Sequence, residues 1–166
     1  MIIIDNFLDG SLLEEIRQDN LWEDNLPYTW SNYGSSPTNV YTKVANYIWY
    51  EKFVYDKEFD GYEYWTQVID NRGIDWHYDK DEHLFWEHKV LSCPKLGSIY
   101  YAHSEPVSGG FLEIERDSGI ERIEPVPNRL IIFNSAKRHR VEKSSGNIRR
   151  SLLTNIWTKK PSEENF

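Results

Sequence analysis

The chain has 166 residues with a single cysteine, 39% hydrophobic and 15% aromatic, a composition that excludes a disordered chain, a disulfide scaffold and a cysteine-rich zinc site. Its net charge of −8 argues against non-specific nucleic-acid binding, which needs a basic field. The charge is uneven: residues 1–90 carry 18 acidic and 7 basic side chains and residues 91–166 carry 9 and 12, a bias that fits an anion site in the second half.

In chain order, Ile2 to Phe7 reads as a short strand. Asp9-Gly10-Ser11 starts a helix, with Ser11 and Glu14 in a capping-box pattern ahead of Leu12, Leu13 and Ile16. A second helix is predicted from Ser36-Pro37, with Ser as N-cap and Pro at the first helical position, because Val40, Tyr41, Val44, Tyr47 and Ile48 recur at helical spacing. From Tyr62 the texture changes to short strand-like runs: Glu63 to Ile69, Gly97 to Ala102, Phe111 to Glu115, Ile120 to Glu124, Leu130 to Asn134 and Ile148 to Trp157. Turn signals separate them, among them Asn71-Arg72-Gly73, Ser108-Gly109-Gly110, Pro127-Asn128 and Ser144-Ser145-Gly146-Asn147. This is a mainly β chain with supporting helices, an antiparallel sandwich or barrel. One domain is expected: a helical buttress over 1–60, a β core over 61–158 and a tail over 159–166, polar and frayed from Pro161. Met1 to Asp5 has no basic leader and no apolar run approaches a membrane span, so a cytoplasmic protein without membrane contact is expected. Cys93, before Pro94, reads as a free structural thiol.

The chemistry is concentrated around five histidines. His77 and Asp79 lie two residues apart on an extended segment, so both side chains point to one side and can reach one ion. Sixty-two residues later, past the apolar run Leu130 to Phe133, comes His139. Two histidines and a carboxylate make a facial triad with open coordination positions, whereas structural zinc takes four protein ligands. Arg149 follows at ten residues, and a guanidinium fork is matched to a carboxylate. His83 and His88, in a short helix or lid, read as surface residues. His103 follows His77 too closely to leave room for the intervening strands. Trp65, Trp76 and Trp157 read as core, and Arg150 as a solvated cross-strand partner of an acidic residue.

The ordered set His77-x-Asp79, Gly109-Gly110-Phe111-Leu112-Glu113-Ile114, Pro127-Asn128-Arg129-Leu130-Ile131-Ile132-Phe133, His139-Arg140-Val141 and Arg149-x-Ser151 resembles the iron(II)/2-oxoglutarate-dependent oxygenase superfamily, and its prolyl-4-hydroxylase-like branch in particular. The resemblance covers Tyr62 to Trp157 and, more loosely, the opening strand and helix. It implies a double-stranded β-helix, a cupin-like jelly roll, with iron(II) held by His77, Asp79 and His139 as the catalytic centre. It also implies 2-oxoglutarate as cosubstrate with O2, its distal carboxylate on Arg149 and Ser151. Tyr101 matches a strand tyrosine that binds that carboxylate in some relatives, with either Tyr100 or Tyr101 as the inward residue. The implied reaction is oxidative decarboxylation of 2-oxoglutarate to succinate coupled to C–H hydroxylation. The second substrate would be prolyl or otherwise peptidyl, or a small molecule such as an amino acid, not nucleic acid. Collagen-type prolyl hydroxylases carry lysine where this chain has Arg149, so collagen-like substrates do not follow. The rivals are a cupin-like metalloenzyme without 2-oxoglutarate, a catalytically silent metal-binding interaction domain and a nucleobase dealkylase, the last disfavoured by charge.

Overall fold

The computed structural model describes residues 1–53, 59–69 and 71–162. Residues 54–58 of the expected helical buttress and 163–166 of the expected tail lie outside the described residues. The elements run β1 (Ile2–Ile4), α1 (Gly10–Ile16), a 3-10 turn (Asp19–Trp22), β2 (Thr29–Asn32) and α2 (Val40–Asn46), which continues as a π-helical stretch (Tyr47–Lys52). Then come β3 (Gly61–Ile69), β4 (Ile74–His77), α3 (Glu82–His88), β5 (Leu96–Tyr101), β6 (Ser108–Gly109), β7 (Leu112–Arg116), β8 (Gly119–Ile123), β9 (Leu130–Phe133), β10 (His139–Val141), β11 (Ser144–Ser145) and β12 (Arg149–Trp157).

Two antiparallel sheets carry the fold. Six strands run in the order β1-β9-β5-β12-β3-β2 and four in the order β4-β10-β7-β8, with β11-β6 as a separate pair. This is the jelly-roll architecture, mainly β with helices on one outer face. Both faces of the larger sheet are buried, so its strands are rich in apolar residues on both sides. Leu130, Ile132, Leu152, Ile156, Tyr62, Tyr64 and Tyr100 pack outward against Ile16, Val44, Ile48 and Trp49. Ile131, Phe133, Ile99 and Tyr101 face Leu112, Ile114 and Val141 of the smaller sheet. Because side chains alternate, a one-residue slip of β12 would exchange Leu152 and Ile156 for Arg149 and Ser151. At roughly 1.5–3 kcal/mol per buried aliphatic side chain, that register is strongly specified.

Two helix starts differ from the sequence reading. Asp9, not Ser11, occupies the N-cap of α1, with no side-chain cap bond. The second helix begins at Val40 rather than at Pro37: Asn39 caps it by accepting from Thr42 N at 2.9 Å, while Thr42 Oγ1 accepts from Asn39 N at 3.1 Å. That reciprocal box satisfies two orphan amide groups. The segment before α2 also contributes an edge strand, β2, absent from the sequence reading. At the other end Pro161 is buried, and Ser162 bonds Asp81 through its N–H (2.8 Å) and hydroxyl (2.9 Å), so the chain is docked at least as far as Ser162.

Candidate active site

The sheet register stacks the inward residues of β3, β12 and β5 into rows. Glu63, Asn155 and Gly97 form the outermost row; Trp65, Leu153 and Ile99 the next; Gln67, Ser151 and Tyr101 the third; Ile69 and Arg149 lie beyond. Each row is roughly 6.6 Å deeper than the one before, two strand residues on.

The outermost row meets the metal-capable group. Among the described residues, His77, Asp79 and His139 bring one ligand atom each within 4.8 Å of one another. Strand pairing achieves this directly, since His77 of β4 is the register partner of His139 of β10. Asp79 Oδ1 is 3.7 Å from His77 Nε2 and 3.8 Å from His139 Nε2. Each imidazole is oriented by its own backbone: Nδ1 of His77 lies 2.8 Å from Asp75 O, and Nδ1 of His139 2.8 Å from Lys137 O. A carbonyl can only accept, so Nδ1 carries the proton and Nε2 keeps its lone pair for an ion. Burial, opposed by the Asp79 charge and reinforced by His77, holds the His139 pKa below its ordinary value, which favours the neutral ligand form.

Asp79 is fixed as firmly. Its N–H donates to Ser135 O at 3.0 Å, and its Oδ2 accepts from Asn155 Nδ2 at 3.0 Å. The same Asn155 amide donates to Glu63 Oε1 at 2.9 Å, while its Oδ1 accepts from Ser135 Oγ at 3.2 Å. Glu63 is 7% exposed, and burial, partly offset by the Asn155 bond, pushes its pKa up to about 7. Gly97 makes room for this arrangement: a Cβ there would stand 2.5 Å from Asn155 Oδ1.

Below the apolar Trp65 row the polar groups lack partners. Arg149, Ser151 and Tyr101 are each 0% exposed. Nε, Nη1 and Nη2 of Arg149, Oγ of Ser151, the Tyr101 hydroxyl and Oε1 of Gln67 are all buried without a hydrogen bond. The Arg149 guanidinium carbon lies 4.9 Å from the Tyr101 ring centre, and Gly110, at φ +68°, brings its backbone against the Arg149 side chain, where a Cβ would stand 3.2 Å from Cδ. A buried guanidinium with no acceptor is costly. An anion of carboxylate geometry satisfies the fork, the hydroxyls and the charge together. The donor set above and the unpaired cation below, separated by an apolar row, therefore fit iron(II) and a dicarboxylate lying along the barrel.

The remaining sequence candidates fall elsewhere. Tyr100 faces the helical layer and donates to Asn128 Oδ1 at 2.9 Å, so Tyr101 is the inward tyrosine. Arg150 points away and pairs at 2.6 Å with Asp19 of the 3-10 turn, not with a cross-strand carboxylate. His83 and His88 sit on α3, outside the triad. His103 is buried between Pro125 O at 3.0 Å and Arg150 O at 3.4 Å. Trp76 is not core: it lies partly exposed on the outer face of the small sheet, 4.9 Å from the guanidinium of Arg140. Glu63, Gln67, Gly97 and Asn155 were missed as site residues. Asn155 lies on the Arg149 face of β12 by strand parity, six residues on, and that alternation is the signal the sequence carries for it.

A jelly roll with two histidines and a carboxylate at its mouth and a buried arginine in its depth defines a metal-dependent enzyme class. The profile of the 2OG-Fe(II) oxygenase superfamily matches residues 63–158, more than half the chain. The chain belongs to that superfamily, and is an enzyme that uses iron(II), 2-oxoglutarate and O2. Solved structures agree in fold. A Pseudomonas putida prolyl-4-hydroxylase is similar with a TM-score of 0.67 at 16% identity, covering 95% of this chain and 92% of that one. A Trichoplax adhaerens prolyl hydroxylase in complex with a hypoxia inducible factor peptide fragment gives 0.64 at 14%, covering 95% and 83%. HygX from Streptomyces hygroscopicus, with nickel and 2-oxoglutarate bound, gives 0.63 at 11%, covering 94% and 81%. No curated protein matches the sequence. No helix among the described residues is long and apolar enough to cross a membrane.

Proposed function

We propose that the enzyme hydroxylates a C–H bond of a prolyl or other peptidyl or amino-acid substrate, with iron(II) on His77, Asp79 and His139 and the distal carboxylate of 2-oxoglutarate on Arg149, Ser151 and Tyr101. The observation that carries this reading is the fully buried Arg149 guanidinium with three unbonded nitrogens. A cupin-like enzyme without 2-oxoglutarate, or a silent binding domain, would leave that charge unexplained. The peptidyl substrate rests on likeness to prolyl hydroxylases, one of them solved with a peptide. Nucleic acid is disfavoured by the net charge of −8, and a cytoplasmic setting is part of the same proposal.

When bound, iron(II) supplies the activation of O2, one oxygen atom of which ends in succinate and the other in the new hydroxyl group. The chain's own residues do the positioning. His77, Asp79 and His139 would hold the ion, three protein ligands being fewer than a closed structural site takes. Asn155 restrains the Asp79 carboxylate so that Oδ1 faces the ion. Trp65, Leu153 and Ile99 form an apolar row between the triad and Arg149 that would exclude water there, and so strengthen the pairing of Arg149 with a carboxylate. The test is a succinate-release assay with iron(II) against prolyl peptides, free amino acids and oligonucleotides. Release that depends on His77, Asp79 and His139 and is stimulated by peptides or amino acids supports the reading. No release, or stimulation by oligonucleotides alone, contradicts it.

A further inference from the structure

Outside the triad a cavity of about 290 Å³ is lined by Tyr28, Glu63, Tyr78, Lys80 and Glu82 as well as His77 and Asp79. It borders His77 and Asp79 and so offers room for a second substrate beside the triad. Its charges are unbalanced. Lys80 is committed, pairing with Glu82 Oε1 at 2.6 Å and lying over the Tyr78 and Phe85 rings at 5.2 and 5.1 Å. Glu63, nine-tenths buried, accepts from Asn155, but no lysine or arginine among the described residues pairs with it. The Asn155 bond needs only an acceptor at position 63 and does not by itself call for the carboxylate charge. Filling the metal centre does not supply the missing cation: Arg149 would be matched by the distal carboxylate of 2-oxoglutarate, and the two charges of iron(II) by its other carboxylate and Asp79, which leaves Glu63 over. Tyr28, whose ring packs on Trp65 at 4.6 Å, adds an aromatic wall of the kind that accompanies cation recognition.

We propose that the second substrate carries a cationic nitrogen, an ammonium or guanidinium group, that pairs with Glu63 in this cavity while the carbon to be oxidised faces the ion. This rests on the function proposed above and narrows its substrate class to basic amino acids or peptides bearing them. A desolvated pair of this kind is worth about tenfold or more in affinity.

The experiment uses the manganese-loaded enzyme and matched probes capped as Nα-acetyl amides, so that the side chain carries the only charge: lysine against norleucine and arginine against citrulline, alone and coupled to proline. The proposal expects the charged member of at least one pair to bind about tenfold tighter. In Glu63→Gln that ratio should fall to within about twofold of unity, while Glu82→Gln should leave it high. A purely structural role for Glu63 would weaken both members alike and leave the ratio unchanged, which overturns the proposal. Equal binding of the two members in the wild-type protein, no binding by any charged probe, or a ratio that collapses with Glu82→Gln instead would also overturn it, and the wild-type ratio decides even if a variant does not fold. A separate 2-oxoglutarate titration without any amine distinguishes failure of the cosubstrate reading, since the probe pairs also report in its absence.

Discussion

Asn155 Nδ2 donates to Asp79 Oδ2 at 3.0 Å across 76 residues of sequence. The bond leaves Oδ1 as the carboxylate oxygen facing the two histidine Nε2 atoms. Outer partners of this kind hold a ligand in its productive orientation, and their loss costs about 10–100-fold in metal affinity. Asn155→Leu should therefore weaken manganese binding by about that factor while the protein still folds, as read by metal titration alongside circular dichroism. Unchanged affinity would mean that Asp79 is oriented by its backbone bond to Ser135 alone.

Gly97→Ala tests the same relationship from the neighbouring strand of the same sheet. Its new methyl would meet Asn155 Oδ1 at 2.5 Å and Ser135 Cβ at 2.9 Å, both on buried groups with no room to retreat. Overpacking of this kind costs about 1–3 kcal/mol. The expected result is a lower Tm together with weaker metal binding, whereas loss of stability with intact metal binding would show that Asn155 does not transmit the clash.

Glu63 gives a pH signature. Its folded pKa of about 7 lies above the ordinary carboxyl value of 4.5, so the folded state holds this proton more tightly than the unfolded state. The stabilisation is complete below the unfolded pKa and is lost as pH rises through the folded one. That difference is worth roughly 3 kcal/mol. In the metal-free protein, urea unfolding between pH 4.5 and 8 should show wild type losing stability relative to Glu63→Gln as pH rises. Parallel curves for the two proteins would mean that Glu63 ionises normally.

Local patterns were legible where the chemistry is local in sequence. His77 and Asp79 are two residues apart, and the turn residues between strands mark where each strand ends. The inward tyrosine was not legible: both faces of β5 are buried, so no polar residue marks an outside, and only the Ser151–Tyr101 register decides it. Glu63, Gln67 and Gly97 escaped for a related reason. They join the site through cross-strand rows whose members lie 34 to 92 residues apart along the chain, and no local motif signals such a row. The Ser11 and Pro37 helix starts misled because good capping residues recur nearby, and the Asn39–Thr42 box makes the better set of bonds.

The central claim is that Arg149 holds the distal carboxylate of 2-oxoglutarate, and its neighbour supplies the control. Arg149 is fully buried without an acceptor, while Arg150 is partly exposed and paired with Asp19. The decisive measurement is a 2-oxoglutarate titration of the manganese-loaded Arg149→Ala and Arg150→Ala variants. Removing one member of a buried charge pair costs about 2–5 kcal/mol, or roughly 30-fold to several-thousand-fold in affinity. A surface pair contributes about 0–1 kcal/mol to stability and makes no contact with the pocket. Arg149→Ala should lose 2-oxoglutarate binding on that scale with manganese still bound, and Arg150→Ala should bind it nearly as wild type does. Equal, small effects from both variants would contradict the account and put the carboxylate site elsewhere.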